Sequence, residues 1–274
     1  MAVKLCELEA ALWLDRPIWS ALVTRHQRFA QVMGSARRLM PDIGPFAATA
    51  VDTAENLDAL TRLVAASGHG VTLMQAGGIT LPDALPVGGT ALGVQMLAER
   101  SIRRVRPDGV TRLGPSDIPA MLALTELTEP GPFAQNTYSL GRYWGVRAEG
   151  RLVAMAGERM KQPGFTEISA VCVHPDHRRR GHGARLTAAV AAAIEARGNR
   201  PYLHALADNR GAIRLYEKLG FRVRSAVQVA WLEPPAARAE RDAEILVPRA
   251  EPKPNIPAAP TATERAGPAF TSSV

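Results

Sequence analysis

A glycine-containing turn between a predicted strand and a predicted helix constrains this chain more than any other feature. The segment VCVHPDHRRRGHGARL occupies residues 171–186, and Pro175 ends the strand because proline cannot continue a β-ladder. The spacing Arg178-x-x-Gly181-x-Gly183 lies directly before the helix, where glycine admits positive φ and lets a ligand approach the backbone. The amides of a first helical turn have no intrahelical partner and lie at the positive end of the helix dipole. The segment therefore predicts a binding site for a diphosphate-bearing ligand.

Basic residues are concentrated around this turn. The formal charge is +7, and residues 170–225 hold eleven Lys or Arg against four Asp or Glu, so the remainder of the chain has 22 of each sign. Arg178, Arg179 and Arg180 add attraction for an anion. A charge confined to one region favours one anionic ligand over a generally basic surface. A nucleic-acid surface is disfavoured, because no aromatic residues alternate with the arginines and no helix-turn-helix pattern is present.

The turn has three other interpretations. It could be an ordinary glycine turn flanked by solvated arginines. A dinucleotide-binding fingerprint is excluded by its spacing, because Leu186 stands where the third glycine belongs. A metal cluster of His174, His177 and His182 is disfavoured, because no acidic or cysteine ligands lie at suitable spacing, so no metal is predicted.

Composition and pattern predict two globular blocks followed by a tail. Residues 1–100 predict an α/β domain. Its predicted helices are Leu5–Leu14, Pro17 through Met33 and AENLDALTRLVAAS. Its predicted strands are PFAATAV, GVTLMQA and TALGVQML, and turns are predicted at Gly88, Gly89 and Gly93. Residues 101–232 predict a helix, three antiparallel strands with a hairpin at Glu149-Gly150, and then helix, strand, helix and strand, an α+β mixed sheet. Residues 233–274 are rich in proline and alanine and predict a mostly disordered tail.

The remaining composition narrows the class of protein. Two cysteines, Cys6 and Cys172, provide neither a disulfide framework nor a zinc site. The chain has no run of about 18 apolar residues, so no membrane association is expected. Glu7, Glu9 and Asp15 interrupt the apolar N-terminus, which argues against a secretory signal. We therefore expect a cytoplasmic protein.

A second motif follows the turn. The segment ADNRGAIRLYEKLGF covers residues 207–221. With the Arg-x-x-Gly-x-Gly turn it resembles the two signature motifs of the GNAT superfamily of acyl-CoA-dependent N-acetyltransferases, and the resemblance covers about residues 108–228. The whole chain further resembles the branch related to glycine N-acyltransferases, in which a degenerate acyltransferase-like half precedes the working one. The resemblance implies a mostly antiparallel sheet flanked by helices, with acetyl-CoA as acyl donor and no metal.

The resemblance also implies a set of cofactor contacts. The strand Val171–Val173 would diverge from the next strand and offer backbone groups, including those of Cys172, to the thioester and the pantetheine arm. The amides of residues 179–184 would hold the pyrophosphate. Asn209 would contact the pantetheine arm, and Ala212 would leave room for it. The residues assigned to the pyrophosphate are Arg178, Arg179, Arg180, Gly181, His182, Gly183 and Ala184.

Proton transfer is assigned less uniquely. Tyr216 matches the tyrosine that protonates the departing thiolate, although it could be a packing residue. An amine substrate with a pKa near 10 must lose a proton before it attacks. Glu167 and His204 are alternative bases, and ordered water is a third. Glu167 could instead be a solvated carboxylate at a strand edge, and His204 a buried, hydrogen-bonded histidine. Glu167 and Val171 share strand parity, which places the glutamate at the cleft if the valines face it.

Substrate recognition is predicted only coarsely. We expect direct acyl transfer to a primary amine, on a small molecule or a peptide, in a ternary complex. Residues 129–143 lie where relatives contact the acceptor, and Phe133, Tyr138 and Tyr143 could line a pocket there. Cys172 should point away from Val171 and Val173, which disfavours an acyl-cysteine mechanism. The alternative is a non-catalytic acyl-CoA sensor, and the oligomeric state is left open.

Overall fold

The computed structural model describes residue 8, residues 13–99, residue 102 and residues 105–235. Its helices are α1 (Pro17–Val23), α2 (Ala54–Ser67), α3 (Ile118–Thr128), α4 (His182–Glu195) and α5 (Arg210–Leu219). Its strands are β1 (Ala30–Met33), β2 (Ala36–Leu39), β3 (Ala47–Thr49), β4 (Val71–Ala76), β5 (Val87–Ala98), β6 (Val110–Leu113), β7 (Tyr143–Ala148), β8 (Arg151–Gln162), β9 (Phe165–Val173), β10 (Arg200–Leu206) and β11 (Phe221–Leu232).

The strands form one large sheet and one small sheet. The large sheet has the order β4-β11-β5-β10-β9-β8-β7-β6, and the small sheet has the order β1-β2-β3. In the large sheet β9 and β10 are parallel, whereas the other neighbouring strands pair antiparallel. The α+β class with a mixed, mostly antiparallel sheet is therefore confirmed.

The large sheet is covered on both faces. Successive side chains of β10 point to opposite faces of the sheet. Tyr202 belongs to the cluster that contains α1, and Leu203 belongs to the cluster that contains α4 and α5. Helix α3 packs on the same face of the sheet as α1, around Tyr143 and Cys172. Helix α2 packs on β2 and β3 and joins the small sheet to β4 and the end of β11. Burial on both faces excludes water from the strands that carry the site.

Two local predictions for the first block are wrong. The helix that starts at Pro17 ends at Val23, and residues 30–33 form β1, because their backbone pairs with β2. Gly88, Gly89 and Gly93 lie inside β5 instead of in turns. A Cβ atom at Gly93 would meet the Ala205 carbonyl at 3.0 Å and one at Gly89 would meet the Trp231 ring at 3.1 Å, so close packing favours glycine at these two positions. The helix at Ala54–Ser67 and the hairpin at Glu149-Gly150 are confirmed.

The two predicted blocks share the large sheet. Strands β4 and β5 precede residue 100, and β5 lies between β11 and β10 from the second block. The division into separate domains stays a prediction. Most of the predicted helix at Leu5–Leu14 and almost all of the predicted tail lie outside the described residues. Within the part of the chain that the structure describes, no helix combines the length and apolar character needed to cross a bilayer.

Candidate active site

The parallel strands β9 and β10 stop pairing before either strand ends. Their register runs from Phe165 with Arg200 to Ile168 with Leu203. Beyond this point β9 continues to Val173 and β10 continues to Leu206. Backbone groups of both strands therefore flank a position inside the sheet where a narrow ligand could take the place of a neighbouring strand.

A β-bulge at Ala170 decides which side chains face each side of this position. Cys172 pairs with Met155 but Ser169 pairs with Gly157, so β9 has one extra residue, and Ala170 adopts φ 52°. The bulge reverses the alternation after Ile168. Val171 and Val173 thus pack against α4 and α5, whereas Cys172 packs on the α3 side.

The bulge decides two predictions about which face of β9 a side chain occupies. The prediction that Cys172 faces away from Val171 and Val173 is confirmed, and burial raises the pKa of its thiol to about 12. The thiolate needed for an acyl-cysteine mechanism is therefore strongly disfavoured at neutral pH. The prediction that Glu167 shares the face of Val171 is wrong, because the extra residue lies between them.

The turn after β9 presents a helix N-terminus to solvent. Pro175–His177 forms a short 3-10 helix, Arg179 has φ 60°, and Gly181 has φ 76° as the residue before α4. The first hydrogen bond of α4 joins the Arg185 amide to the Gly181 carbonyl at 3.1 Å, so the amides of residues 182–184 precede the helical ladder. Positive φ at residue 181 explains why glycine is present there.

Positive charge surrounds these amides. The side chains of Arg178, Arg179 and Arg180 are exposed. Arg185 donates to His182 Nδ1 at 2.8 Å, and burial followed by the charge of Arg185 lowers the pKa of His182 below its ordinary value. Because the positive charge of Arg185 opposes protonation of His182, a bound anion would stabilise this cluster. The backbone and charge present here fit the pyrophosphate of an acyl-CoA.

Helix α5 brings the second motif to the same face of the sheet. Asn209 caps the helix, because its Oδ1 accepts a hydrogen bond from the Ala212 amide at 3.0 Å. Ala212 and Tyr216 are buried in the cluster that includes Val171 and Val173. The second motif therefore lies against the part of β9 that extends beyond the parallel register.

Glu167 lies on the opposite face and is fully buried. Its oxygens accept two hydrogen bonds from Arg159, at 2.8 and 2.7 Å, and a third from the Met160 amide at 3.2 Å. Burial alone would raise the pKa of Glu167, but the charge and hydrogen bonds of Arg159 outweigh burial and hold it well below its usual range. Such a carboxylate is a weak proton acceptor.

His204 is bound between Glu167 and Gln95. Its Nδ1 lies 2.7 Å from Glu167 Oε1, and its Nε2 lies 3.0 Å from the amide nitrogen of Gln95. Arg224 donates to the Gln95 oxygen at 2.8 Å, which assigns the amide nitrogen to the histidine side. In this arrangement Nδ1 of His204 donates to the Glu167 carboxylate and Nε2 accepts from the Gln95 amide.

A small cavity of about 30 Å³ lies beside His204. Its walls come from the end of β10, from β4, β5 and β11, and from the loop after α3. The described residues that line it are Met74, Gly93, Pro130, His204, Ala205, Leu206, Val227 and Val229. The cavity thus borders the residues of β10 that extend beyond its register with β9.

The aromatic residues expected around the acceptor have another role. Phe133 and Tyr138 pack on Tyr143 with ring centroids 5.6 and 5.7 Å apart, and Tyr143 is fully buried. These rings complete the core beneath α3, and Pro130 is the residue from 129–143 that lines the cavity.

Several residues of the site were not found by sequence reasoning. Gln95, Met74 and Gly93 come from the first block, where no short motif marks them. Arg159 carried a usable signal, because it follows Glu158 directly after the apolar run at residues 152–157 of a predicted strand. A buried charge in a central strand requires a partner, and Glu167 on the adjacent strand is that partner.

The fold and the site are those expected of an acyltransferase, and the comparisons agree. A family model described as FR47-like protein matches residues 143–232. A structure from Novosphingobium aromaticivorans, assigned to the GNAT acetyltransferase family, is 40% identical with a TM-score of 0.75, covering 80% of this chain and 97% of that chain. This chain belongs to the GNAT family.

More distant structures share the fold. A GCN5-related N-acetyltransferase from Kribbella flavida is 22% identical with a TM-score of 0.57, covering 79% of this chain and 94% of that chain. A GCN5-related N-acetyltransferase-like protein from Streptococcus suis is 15% identical with a TM-score of 0.50, covering 82% and 96%. A search of curated proteins produced no match.

Proposed function

We propose that this protein transfers an acetyl or other short acyl group from acyl-CoA to a primary amine by direct transfer in a ternary complex. The observation that carries the proposal is the end of the β9–β10 register beside the N-terminus of α4. The strands beyond their register offer backbone groups to an extended chain, and the N-terminus of α4 offers amides and positive charge to a pyrophosphate.

Binding would divide among the elements already described. When bound, acyl-CoA supplies an activated acyl thioester. The backbone of Val171–Val173 would hold the pantetheine arm, and the small side chain of Ala212 leaves space beside it. Asn209 would contribute chiefly by starting α5, because its Oδ1 caps that helix. The arginines at 178–180 would raise the local concentration of the anion.

Tyr216 and His204 would serve the two proton transfers from opposite faces of the sheet. Tyr216 packs with Val171 and Val173 and would donate a proton to the departing thiolate. His204 would accept the proton of the attacking amine at Nε2 after Gln95 releases that atom. Glu167 would be a positioning residue, because its carboxylate holds the Nδ1 proton and stabilises the imidazolium that forms.

The first block would be a degenerate acyltransferase-like half, as in the branch related to glycine N-acyltransferases. Support comes from its strands β4 and β5, which extend the sheet of the second block. The residues that carry both signature motifs belong to the second block alone. The first block would therefore support the site without binding acyl-CoA itself.

Thermal unfolding with acetyl-CoA tests the cofactor assignment, with NADH and ATP as controls. At 100 times its dissociation constant a ligand stabilises the native state by about 2.7 kcal/mol, which is roughly 5–10 °C in a protein of this size. Gly181→Glu should abolish the shift, because it places bulk and negative charge at the N-terminus of α4. Gly68→Glu is the matched control, with the same charge and a similar positive φ of 63° at the end of α2.

The results separate the proposal from its alternatives. A shift with acetyl-CoA followed by thiol release in the presence of amines supports the enzyme. A shift without transfer to any amine indicates an acyl-CoA sensor. If acetyl-CoA produces no shift in the unaltered protein, or if Gly181→Glu retains it, the assignment of the pyrophosphate site is wrong.

A further inference from the structure

We propose that Arg185 is a positioning residue for the pyrophosphate of acyl-CoA, because its guanidinium holds the turn before α4 in the conformation that presents the amides of residues 182–184. The inference rests on the proposed function, since it assigns a further residue to the same cofactor site. It is carried by the hydrogen bonds of Arg185, by the backbone of the turn and by the surroundings of the guanidinium.

The guanidinium of Arg185 joins three parts of the chain. Its Nη2 donates to the Arg180 carbonyl at 3.4 Å and to His182 Nδ1 at 2.8 Å, so it contacts both sides of Gly181. Its Nη1 donates to the Asp108 carbonyl at 3.0 Å, in the segment that precedes β6. A planar guanidinium has five N–H donors in a fixed arrangement, so one side chain can hold several acceptors at once.

The turn that Arg185 holds has a backbone that needs support. Arg179 and Gly181 have φ values of 60° and 76°, and Arg180 lies between them. A residue other than glycine persists in the left-handed region where its surroundings hold it there. Because Arg185 binds the carbonyl of Arg180, it fixes the peptide group between Arg180 and Gly181. Loss of this contact would let the turn relax and would change the direction of the α4 amides.

The charge of Arg185 is available to an anion. Among the residues that the structure describes, no carboxylate forms an ion pair with Arg185, and its buried Nε has no hydrogen-bond partner. Arg185 is partly buried, whereas the arginines at 178–180 are exposed. Salt screens exposed charges more strongly than partly buried ones, so Arg185 would retain its effect on a bound diphosphate when the other arginines lose theirs.

The contact with Asp108 extends the cofactor site beyond the two signature motifs. Asp108 lies in a turn in which the Val110 amide donates to the Pro107 carbonyl at 2.8 Å and Gly109 has φ 72°. This turn leads into β6, which is an edge strand of the large sheet. Because the acceptor is a backbone carbonyl, no side-chain pattern marks this contact in the sequence. The anion-binding turn is thereby tied to the edge of the sheet.

Binding of acetyl-CoA to two variants of Arg185 tests the proposal, measured by isothermal titration calorimetry. Arg185→Gln should raise Kd at least about tenfold, because it removes hydrogen bonds made by a charged donor. Arg185→Lys keeps the charge but replaces the planar fork with one ammonium, so its Kd should remain at least about threefold above that of the unaltered protein. In turnover, KM for acetyl-CoA should rise with kcat nearly unchanged, because Arg185 contacts no reacting group.

The salt dependence of Kd distinguishes Arg185 from the exposed arginines. Arg179→Gln should raise Kd about two- to fivefold at low salt. This effect should disappear at 1 M salt, where the screening length is about 3 Å, whereas the effect of Arg185→Gln should persist. Arg62→Gln is the control, because it removes the same charge from an exposed pair with Asp58 in α2 and should leave Kd unchanged.

The titration of His182 is a readout that needs no ligand. Burial and then the charge of Arg185 lower the pKa of His182, so this pKa should rise in Arg185→Gln. The measurement is NMR of the imidazole protons, with the His182 signal assigned by its loss in His182→Asn. Thermal unfolding of the same samples reports whether each variant is folded.

The outcomes separate this inference from the proposed function. Three results would each overturn the inference: an unaltered Kd in Arg185→Gln, full affinity in Arg185→Lys, or a His182 titration that does not respond to loss of Arg185. If the unaltered protein binds no acetyl-CoA, the proposed function is wrong instead. Inorganic pyrophosphate then replaces acetyl-CoA as the probe of the same turn, with the same order of affinities expected among the variants.

Discussion

At the scale of residues, two ionisable groups in hydrogen-bond contact have different environments. Glu167 is fully buried and its oxygens are engaged by Arg159 and the Met160 amide. His204 has 6% of its side chain exposed and lines a cavity. The carboxylate is thus suited to orienting a neighbour, and the imidazole is the member of the pair that an acceptor can approach.

Tyr216→Phe tests the general acid at this scale. We expect kcat to fall about 100-fold, because proton transfer by a positioned side chain contributes at least that factor. The dissociation constant of acetyl-CoA should change little, because the ring remains in its cluster. Tyr143→Phe removes another buried hydroxyl, in the core beneath α3, and is the control. A Tyr216→Phe enzyme with unaltered kcat would make Tyr216 a packing residue.

Glu167→Gln tests the buried ion pair, because the contribution of this pair to the free energy of unfolding depends on pH. The pKa of Glu167 is lowered in the folded state, so ionisation of this group stabilises the protein above the pKa of the unfolded chain, near 4.5. That contribution is lost as pH falls toward the lower folded pKa. In urea unfolding, the advantage of the unaltered protein over Glu167→Gln should be largest above about pH 5 and should narrow toward pH 3. A gap that is constant across this range would contradict the assigned pKa shift.

At the scale of elements, the bulge in β9 separates the two chemical faces. Without the extra residue at 170, strand alternation would direct Val171 and Val173 to the side of Glu167. With it, these valines pack beside Tyr216, and Cys172 packs beneath α3. The register between β9 and β10 also ends next to the bulge. One inserted residue therefore sets both the divergence of the strands and the side chains that face it.

Substitutions of Ala170 test the bulge. Ala170→Val should lower the free energy of unfolding by about 1–3 kcal/mol, because a β-branched residue opposes φ 52°. It should also weaken acetyl-CoA binding, because relief of this strain displaces Val171. Ala170→Gly is the matched control and should stay within about 1 kcal/mol, because glycine adopts positive φ readily. Equal stability and affinity in both variants would show that the bulge does not support the site.

At the scale of the whole molecule, the first block is part of the site's framework. Strand β5 pairs with β10 on one side and with β11 on the other. A hydrogen-bonded chain of side chains runs from Arg159 through Glu167, His204, Gln95 and Arg224 to Asp15. The first block supplies Gln95 and Asp15 and the second block supplies the other four residues, so the position of His204 depends on both blocks.

Removal of residues 1–100 tests this dependence. The shortened chain would lose β4 and β5 and expose edges of β10 and β11 whose backbone groups are now paired. We expect it to lack a cooperative thermal transition by circular dichroism and to bind no acetyl-CoA, whereas the full chain shows both. A shortened chain that melts cooperatively and binds acetyl-CoA would establish two independent domains.

Much of the second block could be predicted from the sequence because its signals are local. The proline that ends β9, the glycine with positive φ before α4 and the asparagine that caps α5 act within a few residues of their own position. The helix Ala54–Ser67 likewise matched its prediction, and the structure adds Thr53 as its N-cap and Gly68 as its C-cap. Capping, turn conformation and periodicity are properties of short segments, so they can be read without knowledge of the fold.

The sequence by itself therefore determined the class of fold and the placement of the two signature motifs, and only the tertiary structure decided the surroundings of Glu167 and His204. Whether Glu167 is solvated or enclosed depends on Arg159 of the adjacent strand, and the proton position on His204 depends on Gln95, 109 residues away in the chain. The bulge at Ala170 depends on pairing with β8. Burial, register and charge pairing arise between distant segments, and no local pattern encodes them.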